Sequence, residues 1–164
     1  MKSKFILAAI LFSVGLVVRA QEGPYDTKAD VQQQVSEAVT MAKATNKHVM
    51  VIIGANWCKW CRAFDKFIKE DKRIDSLLTA DYIVVKLNYD KKNEKCLTQM
   101  KSFGYPQRFG LPVFVILSSD GTRLHTQNSA YLEAGNGSVG YNVDKVFEFL
   151  YQWRPAALDA KSYK

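Results

Sequence analysis

Cys58 and Cys61 are the residues of this 164-residue sequence best suited to chemistry. Two thiols separated by two residues can close into a disulfide and open again, passing two electrons to or from a partner disulfide. A disulfide that closes so short a loop removes little chain entropy from the unfolded state, so stability alone does not account for the pair. The spacing therefore favours a redox dithiol. A structural disulfide, a vestigial motif on a binding protein and half of a zinc site are the alternatives.

The position of the pair along the chain distinguishes the two thiols. An apolar run at 49–53 ends at Gly54 and is typical of a strand buried on both faces, and a helical rhythm begins at Cys61. The free N–H groups and the dipole at the start of a helix favour a thiolate over a thiol. We therefore predict that Cys58 attacks a partner disulfide and that Cys61 resolves the mixed disulfide.

A metal site is disfavoured by the remaining ligands. Zinc at a Cys-x-x-Cys pair needs two more ligands, and Cys96, His48 and His125 show none of the close spacing typical of zinc sites. We predict no metal and no bound cofactor, with a dithiol metal carrier as the alternative. The third cysteine, Cys96, shares a helical face with Met100 and Phe103 and is expected to be a buried, inert thiol; the alternative is a redox or intermolecular role.

The first twenty residues have the layout of a secretory signal. Lys2 and Lys4 precede an apolar run that is shorter than the roughly 20 residues needed to cross a bilayer, and Ala20 is a small residue suited to signal-peptide cleavage. We predict a removed signal peptide at 1–20 and a single domain at 21–164, in a periplasmic or secreted protein. Membrane association is expected only if the segment is retained. Loss of Lys2, Lys4 and Arg19 lowers the formal net charge from +7 to +4.

The remaining charges do not indicate a nucleic-acid partner. Basic and acidic residues alternate in runs such as 69–73, and no block of one sign forms. Such mixed runs are typical of a solvated surface.

The pattern of the whole chain predicts an α/β fold. Alternating helices and strands followed by a hairpin predict a central mixed sheet with helices on both faces. Helices are predicted from 31 to 46, from Cys61 onward with a continuation or kink near 74–78, at 96–103 and at 144–153; strands are predicted at 49–53, 82–87, 113–117 and 122–126; a glycine-rich loop is predicted at 134–140, and a frayed tail after Pro155.

Two separated motifs resemble those of the thioredoxin superfamily. One is Ala-Asn-Trp-Cys-Lys-Trp-Cys at 55–61, and the other is Gly-Leu-Pro-Val-Phe-Val-Ile-Leu at 110–117. The resemblance covers most of the chain after residue 20 and implies a thioredoxin fold. It is nearest to exported bacterial thioredoxin-like domains, including the C-terminal domain of the membrane thiol transporter that delivers electrons to the periplasm. It further implies that Pro112 is a cis-proline, with the Leu111 backbone held open to a substrate strand beside Cys58. A trans-proline that begins a strand is the alternative.

One position departs from the family pattern. Many thioredoxins carry a buried acid in the strand before the motif, and the matching residue here is Ile52. Proton transfer at Cys61 would then depend on solvent, a partner group, or an acid such as Asp65 or Glu70. We expect Asp65 to face water, as charged residues on helices usually do.

The residues around the pair indicate how a partner would be held. Lys59 is expected to favour the Cys58 thiolate modestly. Trp57 and Trp60 form a candidate apolar rim for a protein substrate, although packing of Trp57 against the fold is equally expected.

The sequence thus predicts an exported thiol–disulfide oxidoreductase acting on protein disulfides. The likeness to the transporter domain gives a slight preference for the reductase direction and implies a membrane redox partner. A non-catalytic peptide-binding module on the same fold is the alternative from another class.

Overall fold

A mixed four-stranded sheet forms the centre of the computed structural model, which describes residues 23–164. The strands are β1 (His48–Gly54), β2 (Tyr82–Asn88), β3 (Val113–Leu117) and β4 (Arg123–Asn128), in the order β2-β1-β3-β4. β1 pairs in parallel with β2 and antiparallel with β3, and β3 pairs antiparallel with β4. The predicted mixed sheet is therefore confirmed. The predicted signal segment lies outside the described residues.

Within the described residues, five α-helices flank this sheet. They are α1 (Val31–Thr45), α2 (Lys59–Glu70), α3 (Lys72–Asp81), α4 (Glu94–Ser102) and α5 (Val143–Gln152). The second predicted helix is divided in two, because Asp71 has an extended backbone and its carboxylate accepts hydrogen bonds from the N–H groups of Arg73 and Ile74. An aspartate in this position caps a new helix, so α3 begins as a separate helix.

The helices cover both faces of the sheet because the side chains of β1 alternate. Met50 and Ile52 pack in a core with α2, α3 and α5. Val49, Val51 and Ile53 pack on the opposite face in a core with α1 and α4. A strand buried on both faces has to be apolar throughout, which is why the run at 49–53 predicted it. The predicted helices on both faces are confirmed, and the rigid strand β1 delivers the chain directly to Cys58.

The C-terminal tail differs from its prediction. Residues predicted to be frayed form two short 3-10 helices, Pro155–Leu158 and Ala160–Tyr163. The hydroxyls of Ser162 and Tyr163 donate to the carbonyls of Ala156 and Ala157, both at 2.7 Å. These side-chain bonds hold the tail after α5 in a local fold that apolar periodicity cannot reveal. Two further 3-10 helices, Pro106–Phe109 and Ser129–Leu132, were not predicted. Within residues 23–164, no helix is long and apolar enough to cross a membrane.

Candidate active site

Cys58 and Cys61 form a disulfide at the beginning of α2, with their Cα atoms 5.2 Å apart. Cys58 is the N-cap residue of this helix, and its Sγ accepts a hydrogen bond from the Cys61 N–H at 3.2 Å. A sulfur in that place receives a backbone donor and the positive end of the helix dipole. The local structure therefore favours a thiolate on Cys58 when the disulfide is reduced.

The two sulfurs differ in access. Cys58 keeps 6% of its surface exposed, whereas Cys61 is completely buried. Of the two cysteines, only Cys58 has any surface open to solvent. Because exchange requires contact between sulfurs, this difference in exposure favours Cys58 as the cysteine that meets a partner disulfide.

The second motif lies against the first. The Leu111–Pro112 peptide bond is cis, as the family resemblance implied. The Leu111 carbonyl oxygen is 3.5 Å from Cys58 Sγ. In the disulfide this sulfur has no proton to donate, so the approach is a contact between the two motifs. The fold thus brings together segments more than fifty residues apart.

The rim around Cys58 is formed by side chains of unequal exposure. Trp57 is 75% exposed, so packing of this side chain against the fold is excluded, and Lys59 is exposed as well. Trp60 is half-buried, with its ring edge-on to Tyr141 at 5.8 Å and its carbonyl accepting from the Tyr141 hydroxyl at 3.3 Å. The Trp57 ring is therefore an exposed apolar surface, whereas the Trp60 ring is held in place by Tyr141.

The expectation that Asp65 faces water is wrong. Its side chain is 14% exposed, and its carboxylate accepts hydrogen bonds from Lys69 and from Lys86 of β2, the residue paired in register with Ile52. Burial opposes ionisation of Asp65 most strongly, but the hydrogen bonds from Lys69 and Lys86 outweigh it and lower the pKa of this carboxyl. The helix thus places a fixed carboxylate near the strand position where the family pattern has an acid. Glu70, by contrast, is exposed and pairs with Lys66 at 3.7 Å.

The family to which the chain belongs is shown by a match to a family model. A family model described as thioredoxin-like matches residues 30–119, more than half of the chain. The chain belongs to the thioredoxin-like family. Its fold and its disulfide-linked Cys-x-x-Cys pair make this thioredoxin-like protein a thiol–disulfide oxidoreductase.

Solved structures share the fold across most of the chain. A disulphide isomerase from Xylella fastidiosa Temecula1 is 29% identical, with a TM-score of 0.67 over 81% of this chain and 98% of that one. The oxidised C-terminal domain of Neisseria meningitidis DsbD is 19% identical, with a TM-score of 0.55 over 77% and 97% of the two chains. A thioredoxin from Thermus thermophilus is 17% identical, with a TM-score of 0.52 over 80% and 87%. The latter two likenesses concern the fold alone. Comparison with curated proteins found no match.

Tyr25 is a residue of this thioredoxin-like site that the sequence did not reveal. Its ring lies in the same core cluster as both cysteines and is 1% exposed. Its backbone N–H donates to Asn56 Oδ1 at 3.0 Å, and its carbonyl accepts from Asn56 Nδ2 at 2.9 Å. These two bonds attach the N-terminal segment to Asn56, which lies two residues before Cys58. The segment has no apolar periodicity, so only the tertiary fold brings Tyr25 to the site.

Cys96 lies apart from this site in the opposite core. Its thiol is buried, as predicted, and its sulfur accepts from the Asp90 N–H at 3.4 Å. Burial is the main reason that the pKa of Cys96 is raised, which makes the thiol less reactive. Within residues 23–164, no group of three His, Cys, Asp or Glu side chains comes together in a way that could hold a metal ion.

Proposed function

We propose that this chain is an exported thiol–disulfide oxidoreductase that exchanges disulfides with protein substrates, with Cys58 as the attacking and Cys61 as the resolving cysteine. The observation that carries the proposal is the asymmetry of the pair. Cys58 retains some exposed surface and its sulfur accepts a hydrogen bond from the Cys61 N–H, while Cys61 is completely buried. A nucleophile needs access and a stabilised thiolate, whereas a resolving thiol needs to be near the mixed disulfide.

The reaction follows from these roles. The Cys58 thiolate attacks one sulfur of a substrate disulfide, whose S–S bond breaks, and the other substrate sulfur leaves as a thiolate that takes up a proton. Cys61 then loses its proton and attacks Cys58. The mixed disulfide breaks, the Cys58–Cys61 disulfide forms, and the second substrate sulfur departs as a thiol. The dithiol of the protein is oxidised by two electrons, and the substrate disulfide is reduced by two.

The surface around Cys58 would hold the substrate. The Leu111 backbone beside Pro112 lies against the Cys58 sulfur and would pair with an extended substrate strand. Trp57 and Trp60 would cover apolar side chains on either side of the substrate disulfide. The Lys59 ammonium would favour the Cys58 thiolate and suit an acidic neighbour on the substrate.

The reductase direction is preferred slightly. The Xylella fastidiosa relative is called a disulphide isomerase, and an isomerase, like a reductase, begins with a reduced attacking cysteine. An exported reductase has no cytosolic supply of electrons and would be recharged by a membrane redox partner. The signal-like residues 1–20 support a periplasmic or secreted location.

Insulin reduction by the wild-type protein, Cys58→Ala and Cys61→Ala tests the assignment. We expect turnover by the wild type and background rates for Cys58→Ala. The Cys61→Ala variant should still attack and should accumulate mixed disulfides that can be trapped and identified. Cys96→Ala is the matched control and should keep wild-type turnover, because its thiol is buried in the other core.

The same variants distinguish the alternatives. A non-catalytic binding module would show no turnover, and its Cys58→Ala variant would bind partners as the wild type does. A dithiol metal carrier would retain stoichiometric zinc or copper when purified under reducing conditions. Either result overturns the proposal. The reduction potential of the Cys58–Cys61 couple, measured against glutathione, then assigns the direction: a low potential supports a reductase and a high one an oxidase.

A further inference from the structure

We infer that the Tyr25 hydroxyl donates a hydrogen bond to the Cys61 sulfur in the reduced protein and thereby assists the resolving step. The inference deepens the proposed function, because it depends on Cys61 as the resolving cysteine. It assigns a role in the exchange to a residue that lies more than thirty positions before the Cys-x-x-Cys motif.

The first observation is an unsatisfied donor. The Tyr25 hydroxyl is buried and has no hydrogen-bond partner within residues 23–164. A buried hydroxyl without a partner is costly, and such groups in native proteins call for an explanation. The other two buried tyrosine hydroxyls do have partners: Tyr82 donates to the Leu150 carbonyl at 2.5 Å, and Tyr141 donates to the Trp60 carbonyl at 3.3 Å.

The second observation is what this donor faces. A Cβ atom on Gly54 would lie 2.9 Å from Cys61 Sγ and would overlap the Tyr25 hydroxyl. The hydroxyl and the sulfur therefore border the same small space over the end of β1. A side chain at position 54 would fill that space. Glycine leaves it open, so no side chain at position 54 separates the hydroxyl from the sulfur.

The backbone of Tyr25 is held in place. The two hydrogen bonds with the Asn56 side chain fix the main chain at Tyr25, and a Cβ on Gly23 would clash with the same Asn56 side chain. The close approach of the N-terminal segment to Asn56 thus requires a glycine at position 23, which also has a positive φ of 124°. With the ring buried in the core cluster that contains both cysteines, the hydroxyl is held at the space that it shares with the Cys61 sulfur.

Reduction changes the acceptor that the hydroxyl meets. A disulfide sulfur is a weak acceptor, whereas a thiolate is a strong one. Burial disfavours the Cys61 thiolate, and a donated hydrogen bond favours it. Burial, followed by the nearby Asp65 and Tyr141, raises the pKa of Tyr25 well above its ordinary value. The hydroxyl therefore remains protonated at neutral pH and acts as a donor.

The other charged and titratable groups around this space have other partners. The Asp65 carboxylate, one helical turn after Cys61, is bound by Lys69 and Lys86. The Tyr141 hydroxyl is bound to the Trp60 carbonyl. During resolution the Cys61 proton passes to the departing substrate sulfur, the Cys58–Cys61 bond forms, and Tyr25 keeps its own proton throughout. Tyr25 stabilises the attacking thiolate and is not itself consumed.

The test measures the pKa of Cys61 directly. In a Cys58→Ser, Cys96→Ala background, where Cys61 is the sole cysteine, the ¹³Cβ shift of Cys61 is followed against pH with and without Tyr25→Phe. We expect loss of the hydroxyl to raise the pKa of Cys61 by about one unit. The thiolate fraction at pH 7 would fall roughly tenfold, but a more basic thiolate is a better nucleophile, so resolution should slow by about threefold.

Tyr82→Phe is the matched control, since it removes a buried hydroxyl at the opposite end of the sheet. It should leave the pKa of Cys61 and the rate of resolution unchanged. Unchanged values in Tyr25→Phe would overturn the inference. If that variant fails to fold, 3-fluorotyrosine at position 25 gives a stronger donor of the same shape and should lower the pKa of Cys61. The titration needs no substrate, so a failure of the proposed exchange activity would be seen separately, as a shifted pKa without turnover.

Discussion

At the scale of single residues, the main feature is that a cysteine occupies the N-cap position of α2. Ser, Thr, Asp and Asn are preferred at the N-cap because their oxygen atoms accept a free N–H of the first turn. In this protein the Cys58 sulfur accepts that bond from Cys61. The interaction at the beginning of α2 would therefore also stabilise the Cys58 thiolate, which we propose is the nucleophile.

The charge of Lys59 tests how much an exposed side chain adds to the stabilisation of the Cys58 thiolate. We expect Lys59→Glu to raise the pKa of Cys58 by a few tenths of a unit, because exposed charge pairs contribute roughly 0.2–1 kcal/mol. The measurement is the rate of Cys58 alkylation by iodoacetamide against pH in the reduced Cys96→Ala background. The shift should shrink in about 0.5 M salt, where exposed charges are screened.

Lys72→Glu is the control for this charge reversal, since Lys72 is also exposed but lies at the start of α3. It changes the net charge by the same amount and should leave the alkylation profile of Cys58 nearly unchanged. Equal shifts in the two variants would show that net charge acts on Cys58 and that the position of Lys59 has no special effect.

At the scale of elements, apolar periodicity was sufficient where an element packs on the sheet. β1, β3 and α1 match their predicted ranges closely, because α1 has a helical apolar pattern and β1 and β3 are apolar runs of strand length. The break between α2 and α3 was predicted only as a continuation or kink, since it depends on the Asp71 cap. The spacing of apolar residues indicates which side chains are buried, but it does not indicate where a polar side chain caps a helix.

The site itself was predictable only where its residues form a motif. Cys58, Cys61 and Pro112 are recognisable by spacing and by family resemblance, and the structure brings them together. Tyr25 is held at the site by hydrogen bonds with the Asn56 side chain. Asp65 of α2 is bound by Lys86 of β2. Such long-range polar contacts leave no local pattern in a single sequence.

Asn56→Ala should release the N-terminal segment from the site. It removes both hydrogen bonds to the Tyr25 backbone and leaves that N–H and carbonyl without these partners. At a net contribution of about 1 kcal/mol per bond, local opening should increase by roughly tenfold or more. The measurement is the rate of tryptic cleavage after Lys28 under native conditions, which follows the population of the open form.

The control for this experiment is Asn136→Ala in the exposed loop between Ser129–Leu132 and α5, where Asn136 accepts only from the nearby Ser138 N–H. Its cleavage after Lys28 should match the wild type. If Asn56→Ala is cleaved at that same rate, the Asn56 side chain does not hold the segment, and Tyr25 is kept at the site by its ring alone.

At the scale of the whole molecule, buried tyrosines link stability to pH. Tyr25, Tyr82 and Tyr141 all lie in the core that contains the disulfide, and burial is the largest cause of a raised pKa in each. The folded protein therefore binds these protons more tightly than the unfolded chain. Their contribution to stability is complete below pH 10.0, the ordinary pKa, and is lost as the pH rises above it.

We expect the free energy of unfolding to fall above pH 10 by up to about 1.4 kcal/mol per pH unit for each buried tyrosine. Urea unfolding of the oxidised protein between pH 8 and 11.5 measures this, in a Cys96→Ala background so that no free thiol reshuffles the disulfide. Tyr82→Phe should be less stable than its parent by about 1 kcal/mol at pH 8, because the hydrogen bond to Leu150 is lost.

The two unfolding curves should converge as the pH rises, because the Phe variant has one fewer buried hydroxyl to keep protonated. Lysine deprotonation affects both proteins alike and cancels in the comparison. A constant difference across the whole range would mean that Tyr82 ionises with the same pKa in the folded and unfolded chains. In that case the burial of Tyr82 would not link stability to pH, and the alkaline loss of stability would have to come from the other two buried tyrosines.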